Sequence, residues 1–521
     1  MSTAQELENE VRRLMQAGQL REAADACDRL NQQHPDFLPA WITASDLALR
    51  VNEPLISVRA IDQALRLAPG RQELLIRRVD SLARAGETQA AVDTASLLED
   101  LVFQSAPAAS SFALLLNRLR LHEQARKHFL RACELEPEEG QHFYNLASVE
   151  RFLGNLDATE AALQRCIELR PADSDAHLMR AGLRTQTTER NNVQSLLNAY
   201  ALTNDSPRDR LRICYGLAKE LEDIEDHDRA FEYLQEGSKL RRDGMQYTPA
   251  NDLLSMQTIR STFTREVLER GSQGHVSAEP IFVIGMPRSG TTLVERILSS
   301  HSVVRSAGES QAFAVELVRQ CEKVNKQPPA NAGELVTRSL DVDFMALGEN
   351  YVNTARPAGE RTAHFVDKMP LNFLYAGLIH LALPKAKIIL LERDPMDTCY
   401  AVYKTLFEGA FPYSYDLVEL ANYFVEYRKL VSHWQEVMPG AMHVVRYEEI
   451  VTNPQPIIED LLEYCSLSFE QGCREFFNNP DVSTTASAVQ VRSDVFTSSI
   501  GKWKNYAAQL KPLAEILEHA Q

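Results

Sequence analysis

The chain has 521 residues, 44% hydrophobic and 24% charged, with a formal net charge of −17 at pH 7. That length exceeds one ordinary core, so two or more domains are expected. The acidic balance and the lack of any basic run exclude a nucleic-acid binder, and a polyanion would have to be met by a few Arg and Lys gathered locally.

The first residues, Met-Ser-Thr-Ala-Gln-Glu-Leu-Glu-Asn-Glu, are acidic and polar and do not read as a signal peptide. No apolar run approaches membrane-spanning length, so a cytoplasmic protein without membrane contact is expected. Prolines then recur at 35, 69, 137 and 171, with separations of 34, 68 and 34 residues. The same phase holds for Gly18, Asn52, Gly86, Arg120 and Gly154. Five residues beyond these stand the small residues Ala23, Ser57, Ala91, Ala125 and Thr159, and twelve beyond stand Leu30, Ala64, Leu98, Ala132 and Cys166. The pattern is that of a repeated helix hairpin, with a turn residue, small residues where helices cross, and proline after the second helix. It resembles the tetratricopeptide repeat, with roughly six units over residues 1–245. Phe103 takes the place of proline in the third unit, which is therefore degenerate. Residues 225–242 resemble one further second helix, out of phase. Such arrays bind proteins or peptides in a groove and some form homo-oligomers; either partner is open at this level.

Residues 246–279 read as a linker with an amphipathic helix between Leu253 and Leu268, ending in Gly271-Ser-Gln-Gly274. From 280 to 521 apolar strands alternate with helical segments. Strands are expected at Ile281–Ile284, His364–Val366, Ile388–Leu391 and His443–Val445, in a parallel, doubly wound sheet whose ligands sit at the strand carboxyl ends. The most informative stretch opens this half: Ile-Phe-Val-Ile-Gly285-Met-Pro287-Arg288-Ser289-Gly290-Thr291-Thr292. A strand, a glycine turn and a helix N-terminus make an anion cradle. The spacing Gly285-x-x-x-x-Gly290 matches the nucleotide loop, but Thr291 stands where that loop has lysine, and the loop's cation is Arg288. Metal-assisted γ-phosphoryl transfer is therefore disfavoured, although a P-loop kinase stays an alternative.

Pro-Arg-Ser-Gly-Thr-Thr after an apolar strand resembles the phosphosulfate loop of sulfotransferases that use 3′-phosphoadenosine-5′-phosphosulfate, above all the tyrosylprotein branch and its bacterial relatives. The resemblance covers about the second half of the chain. The fold it implies is an α-solenoid followed by a P-loop-like α/β domain. The activity it implies is metal-free sulfuryl transfer to an acceptor hydroxyl, such as a peptide tyrosine. The loop residues Pro287 to Thr292 would hold the 5′-phosphosulfate. Arg393, at a strand end, would hold the 3′-phosphate together with a serine eight residues on; here that position is Ala401, and Tyr400, Lys404 or Thr405 remain as substitutes. Tyr447 would contact the nucleotide, and Ser498-Ser499-Ile-Gly-Lys502-Trp-Lys504 would form the loop over it. Glu309 aligns with the family's base, and Lys368 and Arg288 with cations near the transferring group.

Plainer readings stand beside each. Arg393 and Asp394 fit a surface ion pair, and Tyr447 an ordinary strand tyrosine. Gly501 to Lys504 fit an exposed turn, and Glu309 a solvated carboxylate. Lys368 pairs naturally with the adjacent Asp367. A free carboxylate is far less basic than a phenolate, so Glu309 acts only as a concerted base whose surroundings raise its basicity. A non-catalytic nucleotide-sensing adaptor is a further alternative. The eight cysteines carry no C-x-x-C spacing and read as reduced, buried thiols.

Overall fold

In the computed structural model, which describes residues 3–269, 274–357, 361–407, 409–479 and 499–519, the five phase-related positions Gly18, Asn52, Gly86, Arg120 and Gly154 all adopt left-handed backbone, with φ of 74°, 60°, 79°, 62° and 82°. That conformation suits glycine and is tolerated by asparagine. The recurrence of glycine at three of the five positions therefore has a backbone cause. Each turn joins two antiparallel helices. The helices are α1 (Ala4–Gln16), α2 (Leu20–Gln33), α3 (Leu38–Arg50), α4 (Pro54–Leu67), α5 (Gln72–Arg84), α6 (Thr88–Ser96), α7 (Ala106–Arg118), α8 (His122–Leu135), α9 (Gly140–Leu153), α10 (Leu156–Leu169) and α11 (Ser174–Ala181).

The small residues lie where the helices cross. Ala23, Ser57, Ala91, Ala125 and Thr159 are each 0% exposed, because any larger side chain would separate the pair. Ser57 keeps its hydroxyl satisfied in a buried chain, 2.6 Å from Ser45 Oγ and 2.7 Å from Ser81 Oγ. In the third unit the second helix, α6, has nine residues against fourteen in α4. There Phe103 packs its ring against Phe112 and His128, which fills the space left by the shortened helix.

By contacts the chain divides into two units, Met1–Leu183 and Arg184–Gln521. The division expected at 245 followed helix-hairpin character, whereas the contact division follows packing. The second unit begins with α12 (Val193–Leu202), α13 (Pro207–Asp223), α14 (His227–Asp243), α15 (Pro249–Thr262) and α16 (Arg265–Glu269). The α13–α14 turn repeats the left-handed device at Glu225, φ 64°. Packing holds this hairpin within the second unit: Arg242 pairs with Glu419 at 2.8 Å, and the His227 ring lies edge-on to Tyr506.

The sheet of this unit has five parallel strands in the order β2-β3-β1-β4-β5. They are β1 (Pro280–Gly285), β2 (Val304–Gly308), β3 (His364–Asp367), β4 (Lys387–Glu392) and β5 (Met442–Arg446). The four expected strands are found, each within one residue at either end. The edge strand β2 was not expected. Only Val304 of its five residues is buried, and Arg305 and Ser306 interrupt any apolar run; all six residues of β1 are buried. Central β1 pairs with β3 on one side and β4 on the other, which makes its carboxyl end the point where chain order reverses and ligands bind. The helix α17 (Thr291–Ser299) follows β1 directly. All eight cysteines are buried and free. No helix among the described residues is long and apolar enough to cross a membrane. Ser498 and the linker residues 271–273 lie outside the described residues.

Candidate active site

The loop between β1 and α17 is bent by three residues with positive φ: Gly285 at 147°, Arg288 at 64° and Gly290 at 106°. Gly290 has a second constraint. A Cβ there would sit 2.5 Å from Cδ2 of Tyr447, so the tyrosine ring occupies the space a side chain would need. Pro287 is buried and Arg288 half-buried. Ser289 is 1% exposed, and its Oγ has no hydrogen-bond partner among the described residues. A buried hydroxyl in that condition is costly unless a ligand satisfies it. Thr291 and Thr292 are buried in the first turn of α17, whose N-terminus has no side-chain cap. The Leu293 and Val294 N–H groups donate to the Gly290 carbonyl at 3.0 and 3.3 Å, and the positive end of the helix dipole favours an anion here.

Two guanidiniums lie at this loop. Arg393 follows β4 and donates from Nη1 to the Arg288 carbonyl oxygen at 2.9 Å and from Nη2 to the Ser499 carbonyl oxygen at 2.7 Å. Its guanidinium lies over the Tyr447 ring, 4.6 Å from the centroid. Tyr447, at the end of β5, also bonds its hydroxyl to Ser499 Oγ at 2.7 Å. Burial, and then the neighbouring charge of Arg393, bring the Arg288 guanidinium down to about 10. Two guanidiniums brought to one loop suit a place that receives an anion.

The segment after Ser499 is tied down by a residue sequence reasoning passed over. Asp397 accepts from the Gly501 N–H at 2.6 Å and the Trp503 N–H at 3.5 Å. Burial raises its carboxyl above the usual range, and these backbone donors oppose the rise. Of the expected cations, Lys502 approaches Glu222 of α13 at 3.8 Å, while Lys504 is exposed and is not brought into the cluster.

Ala401 is buried and offers no hydroxyl. Among the three substitutes, Thr405 spends its hydroxyl on the Ala401 carbonyl at 2.8 Å, and the Tyr400 ring packs on Tyr506. Lys404 is the one that adds charge. Its Nζ is held by both carboxylate oxygens of Glu222, at 2.9 and 3.0 Å. Burial lowers the lysine, Lys502 and Arg288 lower it further, and Glu222 opposes them. Burial would push Glu222 up, but Lys404 and Lys502 outweigh it and hold the carboxyl below its usual range. Glu222 left no trace in the sequence, since no motif spacing links it to Lys404.

Lys368 follows β3 and is 0% exposed. Its backbone N–H donates to the Gly308 carbonyl at 3.0 Å. Its Nζ contacts Glu309 Oε1 directly and lies 3.7 Å from Glu295 Oε2. The adjacent Asp367 is not its partner. That carboxylate is 0% exposed and accepts from Tyr351 Oη at 2.7 Å, as strand neighbours pointing to opposite faces require. Burial drives Asp367 up to about 7, with Tyr351 and Lys368 opposing and Glu295 adding to the rise. Glu309 is half-exposed, so it is open to an incoming group. Among the described residues no group of three or more His, Cys, Asp or Glu is placed to hold a metal ion.

Two segments of the chain match known families. Residues 280–471 match the Sulfotransferase family, and residues 143–173 match a tetratricopeptide repeat. The chain is 34% identical over 333 residues to an uncharacterized protein of Aquifex aeolicus, covering 63% of this chain and 43% of that one. It therefore spans less than half the length of that relative. It is 27% identical over 241 residues to a putative protein-tyrosine sulfotransferase of Caenorhabditis briggsae, covering 43% of this chain and 80% of that one. Among solved structures it is similar to the sulfotransferase domain of the Synechococcus PCC 7002 olefin synthase, with a TM-score of 0.34 and 17% identity over 47% of this chain and 95% of the other. By the family models, residues 280–471 form a sulfotransferase family domain, preceded by a helical repeat region that contains a tetratricopeptide repeat.

Proposed function

We propose that the protein transfers a sulfuryl group from 3′-phosphoadenosine-5′-phosphosulfate to an acceptor hydroxyl on a peptide or protein, with tyrosine as the preferred acceptor. The observation that carries this reading is the meeting of Arg288 and Arg393 at the N-terminus of α17, beside a buried Ser289 hydroxyl that has no hydrogen-bond partner among the described residues. Pro287 to Thr292 fit the 5′-phosphosulfate. Arg393, Lys404, Ser499 and Lys502 fit the second phosphate, and Tyr447 the nucleoside. Lys504, being exposed, has at most a long-range part. A dianionic phosphate together with a phosphosulfate matches this concentration of cations in a chain that is acidic overall.

The chemistry follows from the Lys368–Glu309 pair. Glu309 takes the proton from the acceptor hydroxyl as that oxygen bonds to sulfur. Arg288 and Lys368 stabilise charge that grows on the transferring group and on the bridging oxygen. The tetratricopeptide array supplies a protein-binding surface, which favours a peptide or protein acceptor over a small molecule. The name of the C. briggsae relative points to tyrosine.

The test is incubation with sulfur-labelled donor and cell extract, followed by identification of what becomes labelled. Label on tyrosine of a protein supports the whole reading. Label on a glycan or lipid keeps the sulfotransferase and removes the tyrosine. No label on anything, from protein that is folded and supplied with donor, removes the enzyme.

A further inference from the structure

Lys368 meets two carboxylates, and the proposed reaction uses only one. Glu309, just past β2, is 49% exposed; Glu295, on α17, is 11% exposed and lies 3.7 Å from the Lys368 ammonium. Ser306 of β2 donates its hydroxyl to the other oxygen of Glu295, which fixes the carboxylate's orientation. Asp367 is the remaining acid near this cluster, and Tyr351 holds it. Glu295 stands on the same helix whose N-terminus forms the anion cradle. It therefore couples the position of the cradle to the position of the ammonium.

We propose that Glu295 is a positioning residue for sulfuryl transfer, holding the Lys368 ammonium in place while Glu309 takes up the acceptor proton. The inference rests on the sulfotransferase reading. In that step the acceptor O–H gives its proton to the Glu309 carboxylate and its oxygen forms a bond to sulfur. The bond from sulfur to the 5′-phosphate oxygen breaks, and its electron pair leaves with adenosine 3′,5′-bisphosphate. Glu309 becomes neutral just as charge builds on the departing oxygen. A fully buried ammonium left without a counter-ion is costly to hold in place. Glu295 supplies the second counter-ion, so the ammonium keeps its position through the transfer. Burial raises the Glu295 carboxyl and Lys368 opposes that rise, so each of the two stabilises the other's charge.

The experiment compares wild type, Glu295→Gln and Glu295→Asp in transfer of label from the donor into cell extract. Binding of adenosine 3′,5′-bisphosphate is measured by calorimetry on the same samples, to show that the cradle is intact. For Glu295→Gln the expected result is a fall in kcat of about 10- to 100-fold with little change in KM for the donor. Glu295→Asp recovers part of the kcat. A wild type that transfers label, beside a Glu295→Gln variant with unchanged kcat or a loss confined to KM, overturns this inference alone. A wild type that neither binds the bisphosphate nor transfers label overturns the sulfotransferase reading, and this inference with it.

Discussion

The Arg393 guanidinium donates to the backbone carbonyl of Arg288 at 2.9 Å. The two cations are therefore not simply close: the side chain of one fixes the main chain of the other. Arg393 also holds the Ser499 carbonyl at 2.7 Å, so one planar group joins the β1 loop, the end of β4 and the C-terminal segment. A single ammonium does not span both acceptors. Arg393→Lys should weaken adenosine 3′,5′-bisphosphate binding by about tenfold or more, although the charge is kept. Calorimetry with the bisphosphate reads this directly. Affinity equal to wild type would reduce Arg393 to a point charge.

Gly290 is the second element of the cradle with a defined tolerance. Its φ of 106° and the Tyr447 ring, 2.5 Å from any added Cβ, both oppose a side chain. Gly290→Ala must displace Tyr447, which also carries the contact with Ser499. Bisphosphate affinity is expected to fall on the order of tenfold or more, with a stability loss of about 1–3 kcal/mol. The loss of affinity should exceed that of Tyr447→Phe, which removes only the hydroxyl bond. The reverse order would assign the tyrosine's role to its hydroxyl rather than to the position of its ring.

Glu309→Gln and Lys368→Met separate chemistry from binding. Each removes a charge at the proposed reacting centre and leaves the loop and Arg393 in place. Transfer of label should fall by roughly a hundredfold or more, while bisphosphate affinity changes by only a few-fold. A variant that loses binding and transfer in proportion would place its residue in the donor site instead.

The Asp367 carboxyl gives a pH-dependent stability term with a definite sign. Burial raises its folded pKa to about 7 from the ordinary 3.8. Between those two values the folded state binds more protons than the unfolded state. The stabilisation of the protonated form is full below the lower value and is lost as pH rises toward the upper one. The slope is at most roughly 1.4 kcal/mol per pH unit. Asp367→Asn, which still accepts from Tyr351, should show a smaller fall in melting temperature between acid and neutral pH. Parallel curves for variant and wild type would show that Asp367 titrates normally.

The repeat array was legible because its backbone constraint is periodic: a left-handed turn every 34 residues leaves Gly18, Gly86 and Gly154 in view. The strands β1, β3 and β4 were legible because burial on both faces forces apolar runs. The edge strand β5 was legible from Val444 and Val445 although only Val445 is buried, whereas in edge strand β2 Arg305 and Ser306 interrupt any apolar run. At the site, the loop residues 287–292 show in sequence because backbone curvature demands glycine at set positions. Lys368 was placed by its motif, but its partner was not, because strand alternation turns the adjacent Asp367 away. Glu222, Glu295 and Asp397 were missed for one shared reason. Each acts on residues remote in sequence, and a carboxylate on a helix carries no local sign of which cation or N–H it will meet. Lys504 was expected at the phosphates from its place beside Trp503, and the short helical turn at 502–506 leaves it exposed.

The central claim is that Arg288 belongs to a site for a sulfuryl donor rather than for a nucleoside triphosphate. The most direct measurement is calorimetric titration of wild type and Arg288→Ala with adenosine 3′,5′-bisphosphate and, separately, with ATP and Mg²⁺. The account predicts that wild type binds the bisphosphate more tightly than ATP with Mg²⁺, and that Arg288→Ala loses about tenfold or more of the bisphosphate affinity. Tighter binding of ATP with Mg²⁺, or an Arg288→Ala variant that binds the bisphosphate as wild type does, would contradict it.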